Sequence, residues 1–294
     1  MTTVRHWTGK EVRALRTAKR MSVREFAAHL GVSARIVSRW EAAGERIHPR
    51  PVNQAALDTS LARSNADVRA RFSLLVATST GLEDSEAPGG RVFRHPADGK
   101  RMLLIPAGTF LSGPDNQPMW LPGFYIDAHP TTNVEYARFV EVTGHRPPLH
   151  WDDGPDARAT HPVVSVNWHD AQAYAIWAGK ALPTAAQWEK AARGAYGDVY
   201  PWGGHTGARY CNTRDSGVGT TTPVDAYPAG TSPFGVLDLC GNVWEWSTTV
   251  GSPGSYLRKG GSFAHPISDC APFRASEAAA DVIADDTGFR CVVG

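Results

Sequence analysis

From residue 195 to residue 294 the sequence shows no sustained period of 3.6 or of 2, and it is rich in Gly, Pro and Trp. A stretch of that kind cannot build a helical bundle or a regular sandwich. It needs extra fastening, from dense aromatic packing or from metal ions. Ten tryptophans in the chain supply the packing. One segment inside the stretch concentrates chemistry: Arg258 to Cys270, RKGGSFAHPISDC. Adjacent glycines permit positive φ or a close backbone approach. Ser262, His265 and Cys270 follow them and are the candidate catalytic residues. A His and a Cys so spaced on one loop can face one cavity and suit a soft metal.

The chain between residues 101 and 194 is more regular. Leu103 to Leu111 reads as a strand, a turn and a second short strand, and Gly123 to Asp127 as another strand. Thr132 followed by Glu135 is a capping box for a helix to about Thr143, with Tyr136, Phe139 and Val140 inward. Trp168 to Ala178 is a second helix stopped by Gly179, and Thr184 caps a third, short one that ends at Gly194.

The first part of the chain differs in charge. Residues 1–72 carry 14 Lys and Arg against 6 Asp and Glu, a net of +8; the remainder carries 16 against 23, a net of −7. A basic head on an acidic body suggests a nucleic-acid partner for the head. Three helices are expected there, Thr8–Lys19, one capped by Ser22, and Ala34–Ala43 capped by Ser33, with Ile36, Val37 and Trp40 on the inner side of the third. A fourth is expected over Val52–Phe72. Helix, short turn with Gly31, helix is the pattern of a helix-turn-helix. The composition then turns small, polar and acidic around Pro88-Gly-Gly, which reads as a linker. The expected domains are 1–75, a linker over 76–100, and 101–294.

The four cysteines show no CxxC pairing, no apolar leader follows Met1, and no apolar run approaches the roughly 18 residues of a membrane span. A cytoplasmic setting with free thiols and no membrane partner is the expectation.

Two family resemblances follow from these motifs. The segment MSVREFAAHLGVSARIVSRWEAAGE resembles the helix-turn-helix of XRE/Cro-type repressors. That resemblance implies that Ser33, Arg35, Ser38 and Arg39 face duplex DNA, with Arg35 as the base reader, and that the chain acts as a homodimer. From residue 101 onward, LLIPAGTFLSG, GFYIDAHPTTNVEYARFV, HPVVSVNWHDAQAYAIWAGKALPTAAQWEKAARG, FGVLDLCGNVWEW, RKGGSF and TGFRC resemble the formylglycine-generating enzyme, or sulfatase-modifying factor, family. The implied fold class is α+β: an all-α helix-turn-helix head followed by a loop-rich, C-type-lectin-like domain.

The second resemblance also implies cofactors. A structural Ca²⁺ would be held by the side chains of Asp238 and Glu245 and the carbonyls of Gly241 and Val243, a hard oxygen set. A second calcium would fall near Asn212, Thr213 and Asp215. The family's oxidases hold Cu(I) between two cysteines, of which Cys270 stands here as the second and His265 replaces the first. On this sequence the leading expectation is a DNA-binding regulator whose second domain binds a ligand or protein partner. The alternatives are a divergent copper-dependent oxidase acting on a cysteine thiol and a lectin-like interaction scaffold.

Overall fold

The computed structural model of the chain describes residues 7–44, 47–79, 92–149, 151, 155–204 and 206–294. It divides into two compact units, Met1–Glu83 and Asp84–Gly294.

The first unit is helical. Helices α1 (Gly9–Ala18), α2 (Val23–Leu30) and α3 (Ala34–Ala43) lie where apolar spacing and caps put them, with Thr8, Ser22 and Ser33 at their N-caps. Gly31 ends α2 in the left-handed conformation at φ 69°, which lets the chain reverse into Ser33 and α3. Trp7, Val12, Leu15, Phe26, Val37, Trp40, Leu57, Leu61 and Phe72 form one buried core. Two expectations are corrected. Ile36 is 39% exposed, because the buried stripe of α3 runs through Val37 and Trp40 and Ile36 lies on its flank. The expected helix over Val52–Phe72 is two helices, α4 (Pro51–Ala62) and α5 (Ala66–Ser79). The break falls at Ser64 and Asn65: the Ser64 hydroxyl donates to the Ser60 carbonyl, and the Asn65 side chain accepts from the Val68 amide. Of the expected linker over 76–100, residues 80–91 lie outside the described residues, and 76–79 belong to α5. Within its span Val92–Arg94 forms strand β1 of the second unit.

The second unit mixes helix and sheet. Strands β2 (Arg101–Ile105), β3 (Gly108–Ser112), β4 (Gln117–Leu121) and β5 (Phe124–Asp127) precede helices α6 (Asn133–Thr143), α7 (Trp168–Trp177) and α8 (Ala185–Arg193). The remainder carries β6 (Trp244–Val250), β7 (Ser255–Lys259), β8 (Ala275–Ala279), β9 (Thr287–Gly288) and β10 (Val292–Val293). One sheet has the order β1-β2-β5-β10, a second β8-β7-β6-β9, and β3 pairs with β4. The stretch that lacked periodicity therefore supplies a whole sheet. Its strand β6 is buried over Trp244–Ser247 and shows no alternation to read.

The final strand is locked by buried charge. Asp127 on β5 meets Lys180 Nζ at 2.8 Å and Lys100 Nζ at 3.3 Å, and accepts from the Cys291 amide at 3.0 Å. Burial alone would raise the Asp127 pKa, but the two ammonium groups hold it down at about 2. Tyr136, Phe139, Tyr174, Trp246 and Phe289 pack in the adjoining aromatic core.

Candidate functional site

The Gly-Gly-Ser loop leaves β7 through Gly260 (φ 97°) and Gly261 (φ 72°). Both conformations favour glycine, and at Gly261 space demands it, since a Cβ there would lie 2.2 Å from Cys270 Sγ. The loop is braced from two sides. Arg214 N donates to His265 O at 2.8 Å and Ile267 N to Asp215 Oδ2 at 2.7 Å. Phe263 N donates to Asn242 O at 3.0 Å, and Gly241 N to Gly260 O at 2.8 Å. The segments expected to bind calcium thus hold the loop in place.

Cys270 is fully buried, with Sγ 3.7 Å from Ser262 O and 3.9 Å from His265 O. It shares a buried cluster with Cys211, Cys240, Tyr200 and Ala271, covered by Trp202, Ile267 and Phe273. Cys211 and Cys240 are hydrogen-bonded through their side chains, and all four cysteines of the chain are free. Burial pushes the Cys270 thiol up to about 12, and nearby Cys211 adds to the rise.

His265 has different neighbours. Its side chain is 38% exposed and its ring meets Trp244 edge to face, with centroids 5.4 Å apart. Nδ1 lies 2.7 Å from Ser262 Oγ, and that hydroxyl donates to Asp286 Oδ2, also at 2.7 Å. Ser262 is fully buried. The structure brings Ser262 and His265 together and adds Asp286. His265 meets the Cys270 thiol through its backbone carbonyl. The donors around Cys270 are sulfurs, the ligand type that a soft ion selects. Among the described residues no group of three or more His, Cys, Asp and Glu side chains is arranged to hold a metal ion.

The Asp238–Glu245 segment is organised by Arg290. Its Nε meets Glu245 Oε2 and its Nη2 meets Oε1, both at 2.7 Å, and Nη2 also reaches the carbonyls of Leu237 and Asp238. Trp188 Nε1 donates to the same Oε2 at 2.8 Å. Glu245 is thereby neutralised. Asp238 is less well compensated: its Oδ2 accepts from Asn242 Nδ2 at 2.8 Å, and burial raises its pKa to about 7. A calcium ion would supply the countercharge that the buried Asp238 carboxyl lacks. In the neighbouring segment Asn212 Oδ1 accepts from Ser216 Oγ, while Asp215 turns to the Ile267 amide. Asn212 and Asp215 share a segment but not a partner.

In the first unit Ser33 Oγ accepts from the Ile36 amide, and Ser33, Arg35, Ser38 and Arg39 are all exposed on or beside α3. Among the described residues no helix is long and apolar enough to cross a membrane.

Sequence reading missed four participants: Cys211, Cys240, Asp286 and Arg290, the last carried only within the TGFRC motif. The one usable signal for Arg290 and Asp286 was their place at the Thr287–Cys291 motif.

The sulfatase-modifying factor enzyme 1-like domain matches residues 90–294. A formylglycine-generating enzyme of Thermomonospora curvata is 32% identical, over 65% of this chain and 93% of its own. The Bos taurus formylglycine-generating enzyme is 28% identical over 86% of this chain and 90% of its own. Among solved structures, PvdO from Pseudomonas aeruginosa superposes with a TM-score of 0.60 at 23% identity, covering 71% of this chain and 99% of that one.

Proposed function

The chain belongs to the sulfatase-modifying factor enzyme 1-like family, and from that premise we propose that its second unit is an oxidase acting on a cysteine thiol of a peptide substrate. The observation that carries the reading is Cys270 Sγ, buried under the Gly260-Gly261-Ser262 loop beside Cys211, with the half-exposed His265 imidazole on the same loop. The relatives at 28% and 32% identity are formylglycine-generating enzymes, which supports the same reaction class.

Copper enters this reading through sulfur alone. Cys270 and Cys211 would hold Cu(I), which would supply dioxygen activation when bound. The chain's own residues do the rest. The positive-φ glycines hold the loop against Cys270, and Asp215 and Arg214 fix its far side. Calcium at Asp238 belongs to the proposal as a structural ion bracing that loop. Anaerobic titration with Cu(I) tests the ligand set. One equivalent should bind, be lost in Cys270→Ala, weaken in Cys211→Ala and persist in His265→Ala. Uptake that needs His265 and ignores Cys211 would refute the sulfur pair.

The first unit favours a second activity, a helix-turn-helix binding duplex DNA as a homodimer. The supporting observation is the α2–Gly31–α3 turn with Ser33, Arg35, Ser38 and Arg39 exposed together. Bases and phosphates would be read from that face.

A further inference from the structure

Three aromatic rings form one continuous stack beside the cysteine cluster. Tyr200 lies over Trp202 with centroids 5.3 Å apart, and Trp202 over Tyr210 at 5.0 Å, each pair within 6° of parallel. Packing alone does not demand this order, since Tyr136 meets Phe139, Trp151 and Phe289 edge to face in the adjoining core. The backbone holds the stack. Tyr200 and Gly203 exchange hydrogen bonds of 3.0 Å across the turn that carries Trp202. Gly230 backs it: a Cβ there would run into the Tyr210 carbonyl and lie 3.6 Å from Trp202 Cε3.

The two ends of the stack differ. Tyr200 is 7% exposed and belongs to the buried cluster of Cys211, Cys240 and Cys270, against which Trp202 also packs. Tyr210 is half-buried. The exposed Arg209 lies over its ring at 4.7 Å and donates to its hydroxyl at 2.5 Å. Among side chains without sulfur, Trp and Tyr give up an electron most readily, and rings in contact pass it in short steps.

We propose that Tyr200, Trp202 and Tyr210 are an electron relay joining the buried thiols to a reductant of the ascorbate class at the Tyr210 surface. Its purpose rests on the oxidase reading given above; its conduction does not. Dioxygen consumed without a peptide thiol leaves an oxidising equivalent on cysteine sulfur, and the relay removes it. The sulfur radical takes an electron and a proton from the Tyr200 phenol, and the S–H bond forms. Trp202 returns the electron to Tyr200, which regains its proton from water. Tyr210 gives an electron to Trp202 and its phenolic proton to water. Ascorbate then restores Tyr210 with one electron and one proton. The net change is one sulfur radical reduced and one ascorbate oxidised.

The test places a ruthenium photosensitiser on the full chain at Ala208→Cys, an exposed position; the four native cysteines are buried and stay unlabelled. After a flash and an external quencher, the tagged protein should show a tryptophan radical and then a phenoxyl radical that is missing in Tyr200→Phe. Trp202→Phe keeps a stacked ring but is far harder to oxidise, so it should lose both signals. Equal signals in Trp202→Phe, or no Tyr200 radical in the tagged parent, overturn the relay. In a second arm the untagged protein is held with Cu(I), dioxygen and ascorbate but no peptide, and its thiols are counted by mass. Cys270 should survive in the parent and be oxidised in Trp202→Phe; equal survival with the parent overturns the protective role. If no thiol is oxidised in either protein, the oxidase reading fails, and the flash arm alone decides the relay.

Discussion

Arg290 closes on Glu245 through Nε and Nη2, each 2.7 Å from a carboxylate oxygen, with both side chains fully buried. The pair links β6 to the segment before β10 and reaches back to the carbonyls of Leu237 and Asp238. Removing the cation leaves a buried carboxylate with Trp188 as its remaining hydrogen-bond donor. Arg290→Ala should cost about 3–5 kcal/mol. Urea unfolding followed by tryptophan fluorescence measures it, and a loss below about 1 kcal/mol contradicts the role given to the pair.

Asp238 gives the calcium proposal a pH signature. Its pKa is raised to about 7 in the folded chain, against about 3.9 unfolded. A raised value means that folding favours the protonated form. The stability this brings is complete below about pH 4 and lost as pH rises through 7. A bound cation reverses that loss. Calcium should therefore raise the melting temperature at pH 8 and do little at pH 5. Chelation should undo the gain, and Asp238→Asn should melt independently of calcium. An equal calcium effect at both pH values would exclude Asp238 as the ligand.

Asp127 works in the opposite sense. Its pKa of about 2 lies below the unfolded value, so its contribution is present above about pH 4 and lost as pH falls toward 2. Asp127→Asn should flatten the acid limb of a stability-against-pH curve. A variant as acid-sensitive as the parent would show that other carboxylates control that limb.

Much of this architecture is legible from local signals. Thr8, Ser22, Thr132 and Thr184 cap helices and each is matched three residues on by Glu11, Glu25, Glu135 or Gln187, closing four capping boxes. What stays hidden depends on distant partners. Strand β6 is buried over four residues without alternation, and the exposed and half-exposed positions of β8 carry no apolar contrast. The Ser262–Asp286 bond spans 24 residues and needs β9 laid parallel to β6 before the two side chains meet. The pairing of Cys211 with Cys240 likewise follows from packing that no spacing rule encodes. Motif likeness found the Gly-Gly-Ser loop, but not that the His265 ring would sit against Ser262 and Asp286.

Gly261→Ala tests how closely the loop is fitted. Its φ of 72° and the 2.2 Å approach to Cys270 Sγ leave no room for a methyl group. The substitution should cost about 1–3 kcal/mol and displace the Cys270 thiol. Thiol labelling by a maleimide should become faster at Cys270 than in the parent; unchanged labelling and stability would mean that the loop yields freely.

For the head, Arg35→Ala with Arg39→Ala should weaken duplex DNA binding. If both side chains meet phosphates, the slope of log affinity against log salt should shrink by about 2. Equal binding by parent and double variant would remove the α3 face from the interface.

The most direct test of the central claim is the mass of a peptide with a single cysteine after incubation with the full chain, Cu(I) and dioxygen. The account predicts conversion of that cysteine to the formylglycine aldehyde by the parent protein and none by Cys270→Ser. An unchanged peptide with copper supplied, or equal conversion by Cys270→Ser, would contradict it.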